Sequence, residues 1–99
     1  MTGRLNLVIL KYMFYVYILL QNDKHLYTGF TDDLKRRYKQ HQDGLNISTK
    51  HKRPLKMIHY EAYILKTDAM RRERFLKTTE GKRLLRQQIR DILIKYEVI

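Results

Sequence analysis

The sequence predicts a single α/β domain with its elements in the order β-β-α-β-α-α. Two apolar runs near the N-terminus are rich in aromatic and β-branched residues, which are typical of strands. Later segments place apolar residues three and four positions apart, which is the spacing of helices that bury one face. The 99 residues leave room for one domain, and their 43% hydrophobic content is typical of a folded protein.

The first two apolar runs and their short connection predict a β-hairpin. Residues 14–20 are apolar or aromatic at every position, as expected for a strand that is covered on both faces. Residues 21–25 are polar and predict the turn, and residues 26–30 predict the second strand.

Two tyrosines lie on the two arms of this hairpin. Tyr17 and Tyr27 both have odd residue numbers. If the numbers of two paired residues across the hairpin add up to an even value, both side chains lie on one face of the sheet. Gly29 follows on that same face. Because glycine has no side chain, it is predicted to leave an open spot beside the tyrosines that allows a substrate to approach closely.

A helix is predicted after the hairpin, over residues 34–41, with N-cap candidates in the Thr-Asp-Asp of residues 31–33. Asp43 and Gly44 end this helix. Residues 45–53 are polar and basic without periodicity and predict a loop. A third strand is predicted within residues 55–65.

Two further helices are predicted in the remainder of the chain. Thr67 and Asp68 are expected to cap a helix over residues 69–78. Gly81 is either a break or the first turn of a last helix that runs to about residue 96. That helix is predicted to bury one apolar stripe, formed by Leu85, Ile89, Ile92, Leu93 and Tyr96.

The N-terminal residues 1–12 are predicted to be a flexible extension, so that residues 13–99 make up the domain. Asn6 and Lys11 interrupt the apolar residues there, and a membrane-spanning helix needs about 20 predominantly apolar residues in a row. We therefore expect a cytoplasmic protein. Met13 stands directly before the first strand and is an alternative start of the chain.

Composition excludes some chemistries and favours an anionic partner. There is no cysteine, which excludes a disulfide framework, a thiolate zinc site and a thiol nucleophile. The formal net charge is +11, which favours nucleic acid as the partner, with an anionic membrane surface as the alternative. Because the apolar stripe of the last helix is explained by packing on the sheet, we expect no membrane partner. The charge is concentrated in residues 33–56 and 66–90, while the strands carry almost none of it.

The order and spacing of several motifs resemble the GIY-YIG nuclease superfamily, and in particular its small single-domain bacterial members, the YhbQ-like group. Tyr-Val-Tyr at 15–17 is followed after nine residues by Tyr-Thr-Gly at 27–29, and then by Arg37 and a lone Glu73. Residues 26–37 and 52–56 are similar to stretches of that group, and the resemblance covers residues 14–82.

Two positions depart from the family pattern. Tyr15 stands where the first motif has its glycine, and Phe30 stands where some nuclease branches have a basic residue. The second departure bears on how strongly a substrate phosphate is held.

The resemblance implies a three-stranded antiparallel sheet flanked by helices, and metal-dependent hydrolysis of phosphodiester bonds in DNA, in repair or processing. Tyr17 and Tyr27 would orient or deprotonate the attacking water. Arg37 would stabilise the phosphate, which a guanidinium can contact with two hydrogen bonds. Glu73 would hold one Mg²⁺ or Mn²⁺ ion, whose remaining ligands are water. His41, one helical turn after Arg37, would either assist proton transfer or cap the end of its helix.

Each of these residues also has a structural interpretation. Tyr17 and Tyr27 taken alone are typical core tyrosines, and Arg37 is a typical solvated helix residue. Glu73 taken alone is typical of an intrahelical salt bridge in a basic segment.

The expected nucleic-acid contacts are basic residues around the sheet together with the glycine of the second motif: Gly29, Lys35, Arg36, Lys50, Lys52, Arg53 and Lys56. A non-catalytic nucleic-acid-binding module with the same fold is the alternative function. The few contacts that a bare domain offers for specificity weigh against the endonuclease and for this alternative. An unidentified protein partner is a further candidate.

Overall fold

The computed structural model describes residues 12–99; the predicted extension, apart from Tyr12, lies outside the described residues. Three strands, a short 3-10 helix and four α-helices form the described part of the chain. In chain order these are β1 (Phe14–Leu20), β2 (Leu26–Thr31), α1 (Leu34–Gln42), the 3-10 helix (Lys50–Lys52), β3 (Lys56–Tyr63), α2 (Lys66–Leu76), α3 (Thr79–Gln88) and α4 (Arg90–Lys95). The predicted order and the three-stranded antiparallel sheet are confirmed.

Strand β1 lies at the centre of the sheet, whose strand order is β2-β1-β3. Both neighbours pair with it antiparallel. Helices cover both faces of the sheet, so the β1 side chains from Val16 to Leu20 are buried whichever way they point. This position explains why the first strand is apolar or aromatic at every residue, as the sequence predicts.

The larger core lies on the face of β1 that carries Val16 and Ile18. Helices α2, α3 and α4 pack on that face. Tyr17 and Leu19 point to the other face, where Leu34 and Tyr38 of α1 pack against them. Helix α1 therefore lies over the tyrosine side of the sheet, and this arrangement brings its polar residues to Tyr17.

Helix α1 begins as predicted, and helix α2 does not. The Asp33 side chain caps α1 by accepting a hydrogen bond from the Arg36 amide at 3.1 Å. Thr67 and Asp68, predicted as caps, lie within the first turn of α2, which begins three residues earlier than predicted. A carboxylate in the first turn interacts favourably with the helix dipole, so Asp68 stabilises this end without capping it.

The predicted last helix is two helices, which meet at Ile89. The backbone of Ile89 has φ −108° and ψ 29°, outside the helical range, and ends α3 at Gln88. The bend leaves Leu85, Ile89 and Leu93 buried in the larger core, as the stripe predicts. Tyr96 instead lies beyond α4, with Lys56 Nζ 4.6 Å from its ring centroid.

Gly81 lies in the first turn of α3, where Thr78 caps the helix through a hydrogen bond from the Gly81 amide. A Cβ atom at this position would overlap the carbonyl oxygen of Phe75. The glycine is therefore required by the close approach of α2 and α3, and it is part of the last helical segment rather than a break.

Candidate active site

A buried phenol connects the sheet to helix α1. Tyr17 Oη lies 2.8 Å from His41 Nε2, and both residues are 0% exposed. Arg37 Nε donates a hydrogen bond to the same phenol oxygen at 3.3 Å. Since Arg37 and His41 are four residues apart, α1 presents both side chains to β1 from one face of the helix.

The second tyrosine completes an aromatic cluster with the first. Tyr17 pairs with Gly29 and Leu19 pairs with Tyr27, so the two tyrosines are diagonal neighbours on one face, as predicted. Their ring centroids are 6.4 Å apart, and the Tyr27 centroid is 5.3 Å from that of His41. Tyr27 is only partly buried. It is therefore the tyrosine of the pair that has exposed surface.

The space beside the tyrosines is filled by Tyr17 itself. A Cβ atom at Gly29 would overlap Cζ and Oη of Tyr17 and would lie 2.8 Å from Cε1. The predicted opening for a substrate at Gly29 is therefore wrong, because ring atoms of the buried Tyr17 occupy the space over this glycine. Gly29 makes room for the buried phenol.

Burial and the nearby cation set the protonation states of this cluster. Burial raises the pKa of Tyr17 above its usual value, and the hydrogen bond from Arg37 offsets part of that rise. Burial, with a smaller contribution from the Arg37 charge, lowers the pKa of His41 to about 4. The hydrogen bond to Tyr17 raises the pKa of Arg37. At neutral pH the cluster holds a protonated phenol, an uncharged imidazole and a guanidinium cation.

Arg37 also faces an open groove with a volume of about 370 Å³. Its Nη1 donates to Gln40 Oε1 at 3.1 Å, so the guanidinium is held from two sides. The groove contains three cationic side chains beside two aromatic rings and is lined by Phe14, Phe30, Thr31, Asp32, Arg36, Arg37, Gln40 and Lys66. Arg37 therefore connects the buried Tyr17 with a surface open to solvent.

Glu73 lies on α2 and makes no direct contact with the tyrosine cluster among the described hydrogen bonds and ion pairs. Its carboxylate contacts Lys77 Nζ at 3.4 Å, four residues on, so the intrahelical pair expected of this residue alone is formed. Its charge contributes, as the smallest of several causes, to the raised pKa of Tyr17. Glu73 is thus within electrostatic range of the phenol.

One carboxylate is the available protein ligand for a divalent ion at this place. Within residues 12–99 no group of three or more His, Cys, Asp or Glu side chains is arranged to hold a metal ion. The Glu73 side chain is 21% exposed, and its partner Lys77 is largely exposed and flexible. This donor set fits a Mg²⁺ ion that keeps most of its water ligands.

The basic residues predicted to contact phosphate fall into two groups. One group lies on the surface with few other contacts, and the other forms hydrogen bonds or ion pairs that hold a loop in place. Lys35 and Lys50 are exposed, and Arg36 is exposed while pairing with Asp32 at 3.1 Å. Lys56, exposed on β3, interacts with the ring of Tyr96.

Lys52 and Arg53 hold the loop in place. Lys52 Nζ pairs with Asp23 of the hairpin turn at 2.8 Å. The Arg53 guanidinium donates to the carbonyl oxygens of Lys50 and Gln42. These contacts assign both residues a bracing role that charge counting does not reveal.

Lys66 and Thr49 are among the residues of the site that the sequence does not predict. Lys66 lines the groove, but its separation from Arg37 along the chain leaves no sequence signal for this contact. Thr49 is 0% exposed, and its Oγ1 lies 2.8 Å from His41 Nδ1. Thr49 occurs in a loop without periodicity, so the sequence carries no signal for it.

The sequence and the fold are similar to those of known proteins. The model of the GIY-YIG catalytic domain matches residues 13–86. The chain therefore belongs to the GIY-YIG family, as its motifs predict.

The chain is similar to several UPF0213 proteins. It is 39% identical over 71 residues to one from Bacillus velezensis, covering 70% of this chain and 72% of that protein. It is 36% identical over 81 residues to one from Haloquadratum walsbyi, covering 79% of this chain and 91% of that protein. The solution NMR structure of a UPF0213 protein from Bacillus halodurans is 34% identical, with a TM-score of 0.51 over 77% of this chain and 84% of that one.

Within the described residues, none of the helices combines the length and the apolar character needed to cross a membrane.

Proposed function

We propose that this protein is a metal-dependent endonuclease that hydrolyses phosphodiester bonds in DNA, in repair or processing. The observation that carries the proposal is the position of Arg37, which contacts the buried Tyr17 and lines an open cationic groove. A nuclease must neutralise the phosphate charge that develops in the transition state, and an arginine held in advance is suited to this task.

Arg37 would bind the scissile phosphate. Its guanidinium is oriented by Tyr17 on one side and by Gln40 on the other, so little reorganisation is needed when phosphate enters the groove. Arg36 and Lys66 would contact neighbouring phosphates along the same groove.

The two tyrosines would have different roles. Tyr17 has no exposed surface, so it acts by holding Arg37 and His41 in place rather than by touching a water molecule. Tyr27 is partly exposed and lies against the same imidazole, so it would contact the attacking water. In this position Tyr27 would orient the water for attack.

Glu73 would hold one Mg²⁺ or Mn²⁺ ion. When bound, such an ion supplies a Lewis acid that polarises a phosphate oxygen. To bind the ion, the Glu73 carboxylate must give up its ion pair with Lys77. Because Lys77 is exposed and the pair is 3.4 Å long, breaking the pair costs little free energy.

A cleavage assay tests this proposal. Labelled linear, nicked, single-stranded and branched DNA would be incubated with Mg²⁺ or Mn²⁺, or with EDTA. Wild type would be compared with Glu73→Gln and with the control Glu80→Gln, which removes a carboxylate from an exposed helical pair with Arg83. We expect metal-dependent cleavage in wild type and in the control, and none in Glu73→Gln, with DNA binding retained in all three.

Two results would contradict parts of the proposal. Cleavage by Glu73→Gln at the wild-type rate would remove the assigned metal ligand. Salt-sensitive DNA binding without cleavage of any substrate would instead support the non-catalytic binding module.

A further inference from the structure

We propose that His41 is the tautomer with its proton on Nδ1, whose Nε2 accepts the Tyr17 phenol, and that Thr49 is the positioning residue that accepts the Nδ1 proton. As a role in catalysis, this inference rests on the proposed function. As a statement about the imidazole, it stands on the hydrogen bonds of the buried cluster alone.

The donors and acceptors around Tyr17 determine the tautomer. Within the part of the chain that the structure describes, Tyr17 Oη has two hydrogen-bond partners, Arg37 Nε and His41 Nε2. Arginine can only donate, so it cannot receive the phenol proton. His41 Nε2 is therefore the acceptor for that proton and carries none of its own.

The opposite nitrogen must then carry the proton of the uncharged ring. A neutral imidazole has one N–H donor and one acceptor nitrogen. Since Nε2 accepts, Nδ1 is the donor, and the atom 2.8 Å away is Thr49 Oγ1. The hydrogen bonds thus run from the Tyr17 phenol to His41 Nε2, and from His41 Nδ1 to the Thr49 hydroxyl.

The position of Thr49 supports this role independently. Thr49 occupies the N-cap of the 3-10 helix, where a threonine side chain ordinarily accepts a hydrogen bond from a backbone amide. It makes no such capping bond, although the residue is 0% exposed. The Thr49 hydroxyl is directed at His41 instead. Among the described residues, His41 is the hydrogen-bond partner of the Thr49 side chain.

The consequence for catalysis runs through Arg37. With Nε2 kept unprotonated, the Tyr17 O–H points to His41, and the phenol lone pairs are available to Arg37 Nε. Reversal of the tautomer would direct an N–H at the phenol oxygen, which would then have no acceptor for its own proton. The Arg37 guanidinium at the groove wall would then share the phenol oxygen with that N–H, which weakens one of the two contacts that orient it.

Nitrogen-15 NMR of histidine-labelled protein near pH 7 tests the tautomer directly, without requiring activity. Wild type, Thr49→Ser and Thr49→Val would be compared, with His41→Gln used to assign the signal. We expect a protonated Nδ1 in wild type and in Thr49→Ser, and an increased fraction protonated on Nε2 in Thr49→Val. A wild-type His41 protonated on Nε2 would overturn the proposal. Because this result comes from the wild-type spectrum, it tests the tautomer even if Thr49→Val does not fold.

Cleavage of DNA provides the second measurement. We expect Thr49→Val to lower the rate by about 10- to 100-fold, which is the loss found when a hydrogen-bond partner that orients a metal-binding imidazole is removed. Thr49→Ser, which keeps the hydroxyl, should restore most of the rate. An unchanged tautomer and an unchanged rate in Thr49→Val would refute the role of Thr49. Absence of cleavage in wild type would count against the endonuclease proposal, while the NMR result would still decide the tautomer.

Discussion

Gly29→Ala distinguishes between the two functions considered for this glycine, space for a substrate and space for Tyr17. The added methyl group would overlap Cζ and Oη of Tyr17, whose ring has no exposed surface into which it can move. Overpacking of a core costs about 1–3 kcal/mol, and loss of the Tyr17–His41 hydrogen bond adds about 1 kcal/mol. We therefore expect Gly29→Ala to lower the free energy of unfolding by about 2–4 kcal/mol.

Urea denaturation followed by circular dichroism measures this loss, and a double-mutant cycle assigns it to Tyr17. Tyr17→Leu removes the ring atoms that the new methyl group meets. In that background Gly29→Ala should cost less than about 1 kcal/mol, which gives a coupling energy of about 1–3 kcal/mol. Equal costs in both backgrounds, or a stable Gly29→Ala protein that no longer binds DNA, would refute the reasoning and restore the substrate interpretation.

Two further predictions concern His41 and the basic surface. Because the folded pKa of His41 is about 4 and its usual value is 6.5, the unfolded chain binds more protons between these values, so His41 removes stability as the pH falls from 6.5 to 4. NMR titration should show that His41 is still neutral at pH 5.5; a His41 midpoint near 6.5 would contradict its burial. On the surface, the double variant Lys35→Ala/Lys50→Ala should flatten the salt dependence of DNA binding, since each lost phosphate contact lowers the slope by about 0.9. Lys52→Ala, which removes a partner of Asp23, should leave that slope nearly unchanged. A larger change of slope in Lys52→Ala than in the double variant would mean that Lys52 contacts phosphate and that Lys35 and Lys50 do not.

The parts of the site that could be predicted depend on local patterns. Side chains alternate between the two faces along a strand. Tyr17 and Tyr27 therefore lie on one face once the numbers of paired residues in the hairpin add up to an even value. The spacing of four residues places Arg37 and His41 on one face of α1. Both results follow from the geometry of a single strand pair or a single helix.

The parts that could not be predicted depend on contacts between distant segments. The bend at Ile89 occurs without glycine or proline, so no local signal marks it. The occupant of the space at Gly29 depends on which way the Tyr17 ring turns within the core. Lys66 reaches the groove of Arg37 only because α2 begins beside the N-terminal end of β1.

The loop at residues 45–53 shows why charge alone does not assign a function to a basic segment. Its cations were predicted to contact phosphate, yet the loop is tied to the hairpin turn by backbone and side-chain bonds. Asn22 donates to the carbonyl oxygens of Lys52 and Arg53, and Lys52 pairs with Asp23. Because Thr49 lies in this same loop, these ties also fix the hydroxyl that meets His41. A loop that positions a buried hydroxyl must itself be held in place. Lys52 and Arg53 serve that purpose whether or not phosphate is bound.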